Sequence, residues 1–301
     1  MRCGVHTGRV LQPPEHEDPA LVLFDTRAGF QVTCRHSGSN RAIQARMKFH
    51  NCLSIMRFTW LEMSRLKVWH FALLIILIGC AVAEFGAALA ITESAAHRSA
   101  FYAAGMRLGA VFVVALIVCV SVLREFDDKG VEAVLSRPVS RGDWYCGRFF
   151  GYAGMSIGFA ALVAVPLVVQ QAASALPWAC SLALELVLVT AATLAFTITV
   201  RQVPAALCAV AGFYLLARGI TGFGLMATGP TVDLSATSAR VMAGFIDILA
   251  HVLPALDRYT QTAWLTTPPP PGELGFLVVQ TVVYAALLGA VGLFDLHRRN
   301  F

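Results

Sequence analysis

Hydrophobic residues in this chain gather into six runs of about twenty, separated by polar stretches of very unequal length. The runs are Trp69–Ile91, Phe101–Leu123, Phe149–Gln170, Trp178–Val200, Val203–Leu225 and Leu274–Leu296. Twenty helical residues rise about 30 Å, the thickness of a bilayer's hydrocarbon core. Backbone N–H and C=O groups find no partners in lipid, which makes the helix the natural solution for runs of this length. The pattern predicts an all-α polytopic membrane protein with six transmembrane helices. Only Arg201, Gln202 and Pro204 punctuate the fourth and fifth runs, which predicts a tight turn with proline near a helix start.

Two of the polar stretches have a pattern of their own. The first is Arg124–Arg148, REFDDKGVEAVLSRPVSRGDWYCGR. Glu125, Asp128, Lys129 and Glu132 recur at helical spacing, and Glu125–Lys129 is a favourable pair one turn apart. Phe126, Ala133 and Val134 fall away from that stripe, Pro138 stops the helix, and the chain re-enters the apolar region through Gly147. This predicts one or two short amphipathic helices outside the bilayer. The second stretch is Met226–Glu273. There Val241, Phe245, Ile248, Leu249 and Val252 form one apolar helical stripe ended by Pro254. Such a helix lies on the membrane surface or folds back over the bundle. A Pro-rich spacer, Thr267–Glu273, leads to the last run.

Small residues add packing expectations. Gly147, Gly151, Gly154 and Gly158 line one stripe, and Gly105 and Gly109 form a second. This spacing lets helix backbones approach closely, and we expect it inside the bundle. Pro166 is expected to bend the third run near its end.

Composition and charge give the chain its orientation. It is 57% hydrophobic and 14% charged, where a soluble domain carries about 25% charged residues. Basic residues alternate between connections: Arg57, Arg65 and Lys67 come first, then Arg124, Lys129, Arg137, Arg141 and Arg148, then Arg201, then Arg298 and Arg299. The intervening connections hold only Arg98, Arg240 and Arg258. Basic loops stay in the cytoplasm, so both termini are expected there. The net charge of +5 therefore describes orientation; no basic patch interleaved with aromatics points to nucleic acid.

Residues 1–55 mix Pro, His, Arg and Gly without sustained periodicity, and lack the apolar core of a signal peptide. They read either as a disordered cytoplasmic tail or as residues upstream of a true start at Met47 or Met56, and we read them as the second. The membrane unit is taken as 56–301.

Four ionisable residues fall inside the apolar runs: Glu84, Arg107, Glu185 and Arg218. Each is expensive there, by about 2.5–3.5 kcal/mol on insertion scales. Counted from the ends of their runs, all four lie about 10 Å below the outer surface at 1.5 Å per residue. Two acids and two bases at one depth predict neutralising pairs that face the bundle interior. Such a layer either fixes helix register or forms an outer gate or polar substrate path.

Catalytic chemistry finds little support. The eight cysteines show no CxxC or Cys/His spacing, and Cys80, Cys119, Cys180 and Cys208 lie in apolar runs as small fillers. His70, Glu84, Glu185 and His251 form neither HExxH nor a nucleophile–base arrangement. No GxxxxGK[ST] phosphate loop is present. No metal site, cofactor or catalytic residue is assigned to this chain.

The Arg124–Arg148 block resembles the membrane subunits of type-two ATP-binding cassette exporters. The matching residues are Asp127, Gly130, Glu132, Leu135, Ser136, Arg137, Pro138, Val139, Ser140 and Arg141, followed by Tyr145, Gly147 and Arg148, the last standing where Lys is commoner. Leu253–Leu265 (LPALDRYTQTAWL) and Phe294–Phe301 (FDLHRRNF) are similar to that family's late external segment and basic tail. The resemblance covers about Met56–Phe301. It implies a permease subunit, paired with a second copy, in a bacterial inner membrane. It also implies a separate ATPase subunit that carries ATP and Mg, and a cytoplasmic loop holding a coupling helix that docks on it. The docking residues would be Glu125, Phe126, Asp128, Gly130, Val131, Glu132, Val134, Leu135, Arg137, Pro138 and Arg141, with Phe126, Val131, Val134 and Leu135 entering a groove. The rival reading is an ATP-independent membrane scaffold or secondary carrier, which has no need of a docking helix.

Overall fold

The computed structural model describes residues 39–65, 68–89, 94–127, 140–170, 172–227 and 237–298, save positions 266 and 268. The chain divides into two compact units, Met1–Arg46 and Met47–Phe301. Of the first, only the helical stretch from Ser39 is described. Among the described residues all regular structure is helical. The helices are α1 (Ser39–Arg65), α2 (Val68–Ala88), α3 (Ser94–Asp127), α4 (Arg141–Gln170), α5 (Ala172–Val200), α6 (Val203–Ala227), α7 (Thr237–Val252) and α8 (Glu273–Arg298), with a 3-10 turn at Thr262–Leu265. Six of them, α2 to α6 and α8, are long and apolar enough to cross a membrane. The chain is a polytopic helical membrane protein, as its hydrophobic runs predict.

The helices overrun the apolar runs at one end of the bundle. α3 continues past Leu123 to Asp127, and α4 starts at Arg141 instead of Phe149. Within the Arg124–Arg148 block, the described ends are therefore parts of membrane helices and not separate amphipathic ones; residues 128–139 lie outside the described residues. The cause is a cap. The Oγ of Ser140 accepts a hydrogen bond from the Asp143 N–H at 3.1 Å, and Asp143 sits in the first turn of α4, where the helix dipole favours an acid.

α5 is the central helix. It packs against α3, α4, α6, α8 and the 3-10 turn. Most of it is buried and apolar, and its buried polar positions are Ser181, Glu185, Thr190, Thr193 and Thr197. Two of its threonines turn back onto their own helix: Thr190 and Thr193 donate to the carbonyls of Leu186 and Val189, each at 2.7 Å. α4 and α5 run unbroken through Pro166 and Pro177. The turn after α5 is as tight as expected. Arg201 takes a left-handed φ of 54°, its N–H bonds the Thr197 carbonyl at 3.0 Å, and its guanidinium lies 5.0 Å from the Phe126 ring centroid.

The two glycine stripes behave differently. A Cβ on Gly147 would stand 2.7 Å from Cβ of Ile55, and one on Gly151 would stand 2.7 Å from Cβ of Thr59. Gly154 and Gly158 face the rings of Trp60 and Trp69. The α4 stripe thus seats the C-terminal part of α1, and the boundary expected at Met56 cuts through that helix. Gly105 and Gly109 have nothing within 4 Å of such a Cβ, so among the described residues the α3 stripe makes no close contact. Gly151→Ala is expected to cost about 1–3 kcal/mol by overpacking against Thr59. Gly109→Ala should stay within about 0.5 kcal/mol or gain slightly from helix propensity. Thermal unfolding of the two variants in one detergent checks the contrast.

α7 packs along α6. Of its predicted stripe, Val241, Phe245, Ile248 and Val252 are exposed, and they form a face suited to a bilayer. Leu249 instead turns inward with Ala243 and Ile246, because the helix has a second, weaker apolar face. Beyond α7 the chain dips into the bundle. Leu256, Tyr259, Trp264 and Leu265 are buried, and the 3-10 turn packs between α3 and α5. The segment after α7 is thus a plug.

Candidate functional site

Two polar clusters interrupt the apolar interior. The deeper one is built on α3, α5 and α6. Arg107 and Glu185, both fully buried, form an ion pair of 2.7 Å between Arg107 Nη1 and Glu185 Oε2. Arg107 Nη1 also donates to the carbonyl of Tyr259, and Nη2 donates to Ser181 Oγ at 3.0 Å. The guanidinium carbon lies 4.9 Å from the centroid of the Trp178 ring. The other carboxylate oxygen of Glu185 accepts from the Tyr214 hydroxyl at 2.8 Å, and that hydroxyl accepts from Arg218 Nη1 at 2.9 Å. The Tyr259 hydroxyl in turn donates to the Leu277 carbonyl at 3.0 Å and meets Thr281 Oγ1 at 2.9 Å, which fixes the plug to α8.

Three of the four intramembrane charges are therefore one network: Arg107, Glu185 and, through Tyr214, Arg218. Glu84 is not part of it. Its carboxylate pairs with Arg98 at 2.9 Å; the Glu84 side chain is exposed, 62%, and that of Arg98 is half-buried, 35%. Arg98 lies in α3, whose helix starts upstream of the apolar run, and the α2–α3 hairpin brings it beside Glu84.

The second cluster lies where α3 ends and α4 begins. Arg148, 3% exposed, reaches two carboxylates: Nη1 meets Glu62 Oε2 of α1 at 2.8 Å, and Nη2 meets Glu125 of α3. Nη1 also donates to Thr59 Oγ1 at 3.1 Å. The Tyr152 hydroxyl donates to Ser121 Oγ at 2.9 Å, which donates to the second oxygen of Glu62 at 3.3 Å. Trp144 Nε1 donates to Glu125 at 3.3 Å, and its ring tilts against Phe126 with centroids 6.0 Å apart. Arg141 Nη1 donates to the Leu296 and His297 carbonyls at 2.9 and 3.3 Å, where a cation complements the C-terminal end of α8. On α1, burial and then the neighbouring Cys146 and Asp143 hold the Cys52 thiol above its ordinary value.

Of the expected docking residues, the structure brings Glu125, Phe126 and Arg141 into this cluster as contacts within the chain. Asp128, Gly130, Val131, Glu132, Val134, Leu135, Arg137 and Pro138 lie outside the described residues. Sequence reasoning missed Glu62, Thr59, Tyr152, Trp144 and Arg201 here, and Ser181, Tyr214 and Tyr259 in the deeper layer. One available signal was Ser140-x-x-Asp143, a capping pattern that starts α4 early enough to carry Arg148 inward. Among the described residues, no three His, Cys, Asp or Glu side chains gather as a metal site. The chemistry these clusters support is electrostatic positioning and ion binding. No protein-family model matches the chain, and no curated protein does either.

Proposed function

We propose that this chain is the permease subunit of an ATP-binding cassette exporter, coupled through the 124–148 loop to a separate ATPase subunit. The reading starts from the order of motifs in that loop, the late external segment and the tail. Its main support is Arg148, which ties both stems of the loop, at Glu125 and at its own position, to α1 at Glu62. A push on residues 128–139 would then act on three helices together. α3 runs from Glu125 to Arg107, eighteen positions or about 27 Å along one helix. That makes α3 a rod between the loop and the deep polar layer. Two such chains would enclose the pathway, in a bacterial inner membrane with both termini cytoplasmic.

The test is co-purification. With a tag after Phe301 and mild detergent, a stoichiometric ATPase subunit is the expected result, reduced at least tenfold by Leu135→Asp or Val131→Asp. Phe126 is a poor probe, since its ring packs against Trp144 and Arg201 inside the chain. A clean preparation without ATPase, from cells where the protein is active, would sink the reading and favour the scaffold or carrier.

A further inference from the structure

The deep polar layer has more cations and donors than the protein around it satisfies. Arg107 and Glu185 neutralise each other, which leaves Arg218 with one unit of positive charge. Among the described residues no carboxylate pairs with Arg218, and its hydrogen bond is to the Tyr214 hydroxyl, itself already committed to Glu185. A guanidinium carries five N–H donors and stays charged at any physiological pH. Elsewhere in the layer, Arg107 Nε and Trp178 Nε1 are also buried without an acceptor. A cation at this depth with no carboxylate to neutralise it is a place where an anion belongs.

Access decides which anion. Arg218 is only partly buried, at the border between the packed face of α6 (Tyr214, Ala217) and its outward face (Leu215, Gly222). One turn further along, a Cβ on Gly222 would meet nothing within 4 Å, so this side of α6 is open next to Arg218. The outward face is apolar, with Leu215 60% and Phe223 49% exposed. A ligand arriving there presents an acidic head to Arg218 and hydrocarbon to Leu215 and Phe223. Arg218 lies nine positions before Ala227, about 13 Å from the end of α6. Local thinning of the leaflet is the usual response to an arginine at such depth, and it brings a headgroup down to meet it.

We propose that Arg218 and the open side of α6 bind the phosphate of an anionic membrane amphiphile. The site does not depend on the exporter reading and would exist in a scaffold or carrier as well. The experiment titrates the full-length protein in neutral detergent with short-chain phosphatidylglycerol, and in parallel with phosphatidylcholine and inorganic phosphate, following the melting temperature. Wild type should bind phosphatidylglycerol saturably, about tenfold more tightly than phosphatidylcholine. Arg218→Gln should lose that preference, and Arg218→Lys should keep part of it. A response to inorganic phosphate that equals the lipid's would assign the same site to a soluble phosphate. Equal binding of both lipids by wild type overturns the proposal and needs no variant. So does a preference that survives in Arg218→Gln.

Discussion

Glu185→Gln is expected to be among the most damaging single changes in this chain, at about 3–5 kcal/mol of stability. The carboxylate is fully buried, and so is the Arg107 guanidinium it neutralises at 2.7 Å. A buried lysine could shed its proton when its partner leaves, but an arginine cannot. The variant therefore keeps a full charge in the interior. Glutamine preserves the shape and one acceptor oxygen, so the loss reports charge and not a cavity. Removing both charges as Arg107→Met with Glu185→Met should recover most of the stability, because a buried pair and its apolar replacement are close in energy. Thermal unfolding in detergent measures Glu185→Gln, the double variant and its two single components, Arg107→Met and Glu185→Met. An additive double variant would mean the two residues are not paired. Glu84→Gln is the internal comparison: its pair with Arg98 is solvent-exposed, and such pairs contribute about 0–1 kcal/mol.

That comparison shows where sequence reasoning stops. The spans were legible because lipid imposes one requirement, an apolar helix of bilayer length, and each run states it locally. The turn at Arg201 and Gln202 was legible for the same reason. The depth of Arg107, Glu185 and Arg218 followed from counting along helices. Their partners did not, because pairing depends on which helices touch. Arg98 was assigned to a loop by its hydropathy, although helix α3 continues through it, so Glu84 was matched against the wrong bases. Tyr259 was invisible as a partner because it offers a backbone carbonyl, which every residue has. The seat of α1 on Gly147 and Gly151 shows the same limit: the stripe announced a close contact without naming the helix that fills it. At the loop end, Arg148 was read as a basic flank, which is the commonest use of arginine there. Its burial comes from the capped start at Ser140, which draws the following turns of α4 into the bundle.

Arg148→Ala tests that burial directly. It leaves Glu62 and Glu125, 28% and 12% exposed, facing each other with no cation between them. Like charges then repel in a site where water reaches only part of each carboxylate, and the cost should be about 2–4 kcal/mol. If lost charge balance is the cause, adding Glu62→Gln and Glu125→Gln to Arg148→Ala should restore much of the stability; if lost packing is the cause, they will restore nothing. Arg148→Lys discriminates further. Lysine supplies the charge but not the planar fork that serves two carboxylates at once, so it should hold one acid and release the other. Under the exporter reading, Arg148→Lys keeps residues 128–139 intact and should still co-purify with the ATPase, whereas Leu135→Asp should not. Docking would then belong to the loop, and fixing its stems to Arg148. Loss of the ATPase from Arg148→Lys as well would make the clamp a condition of docking.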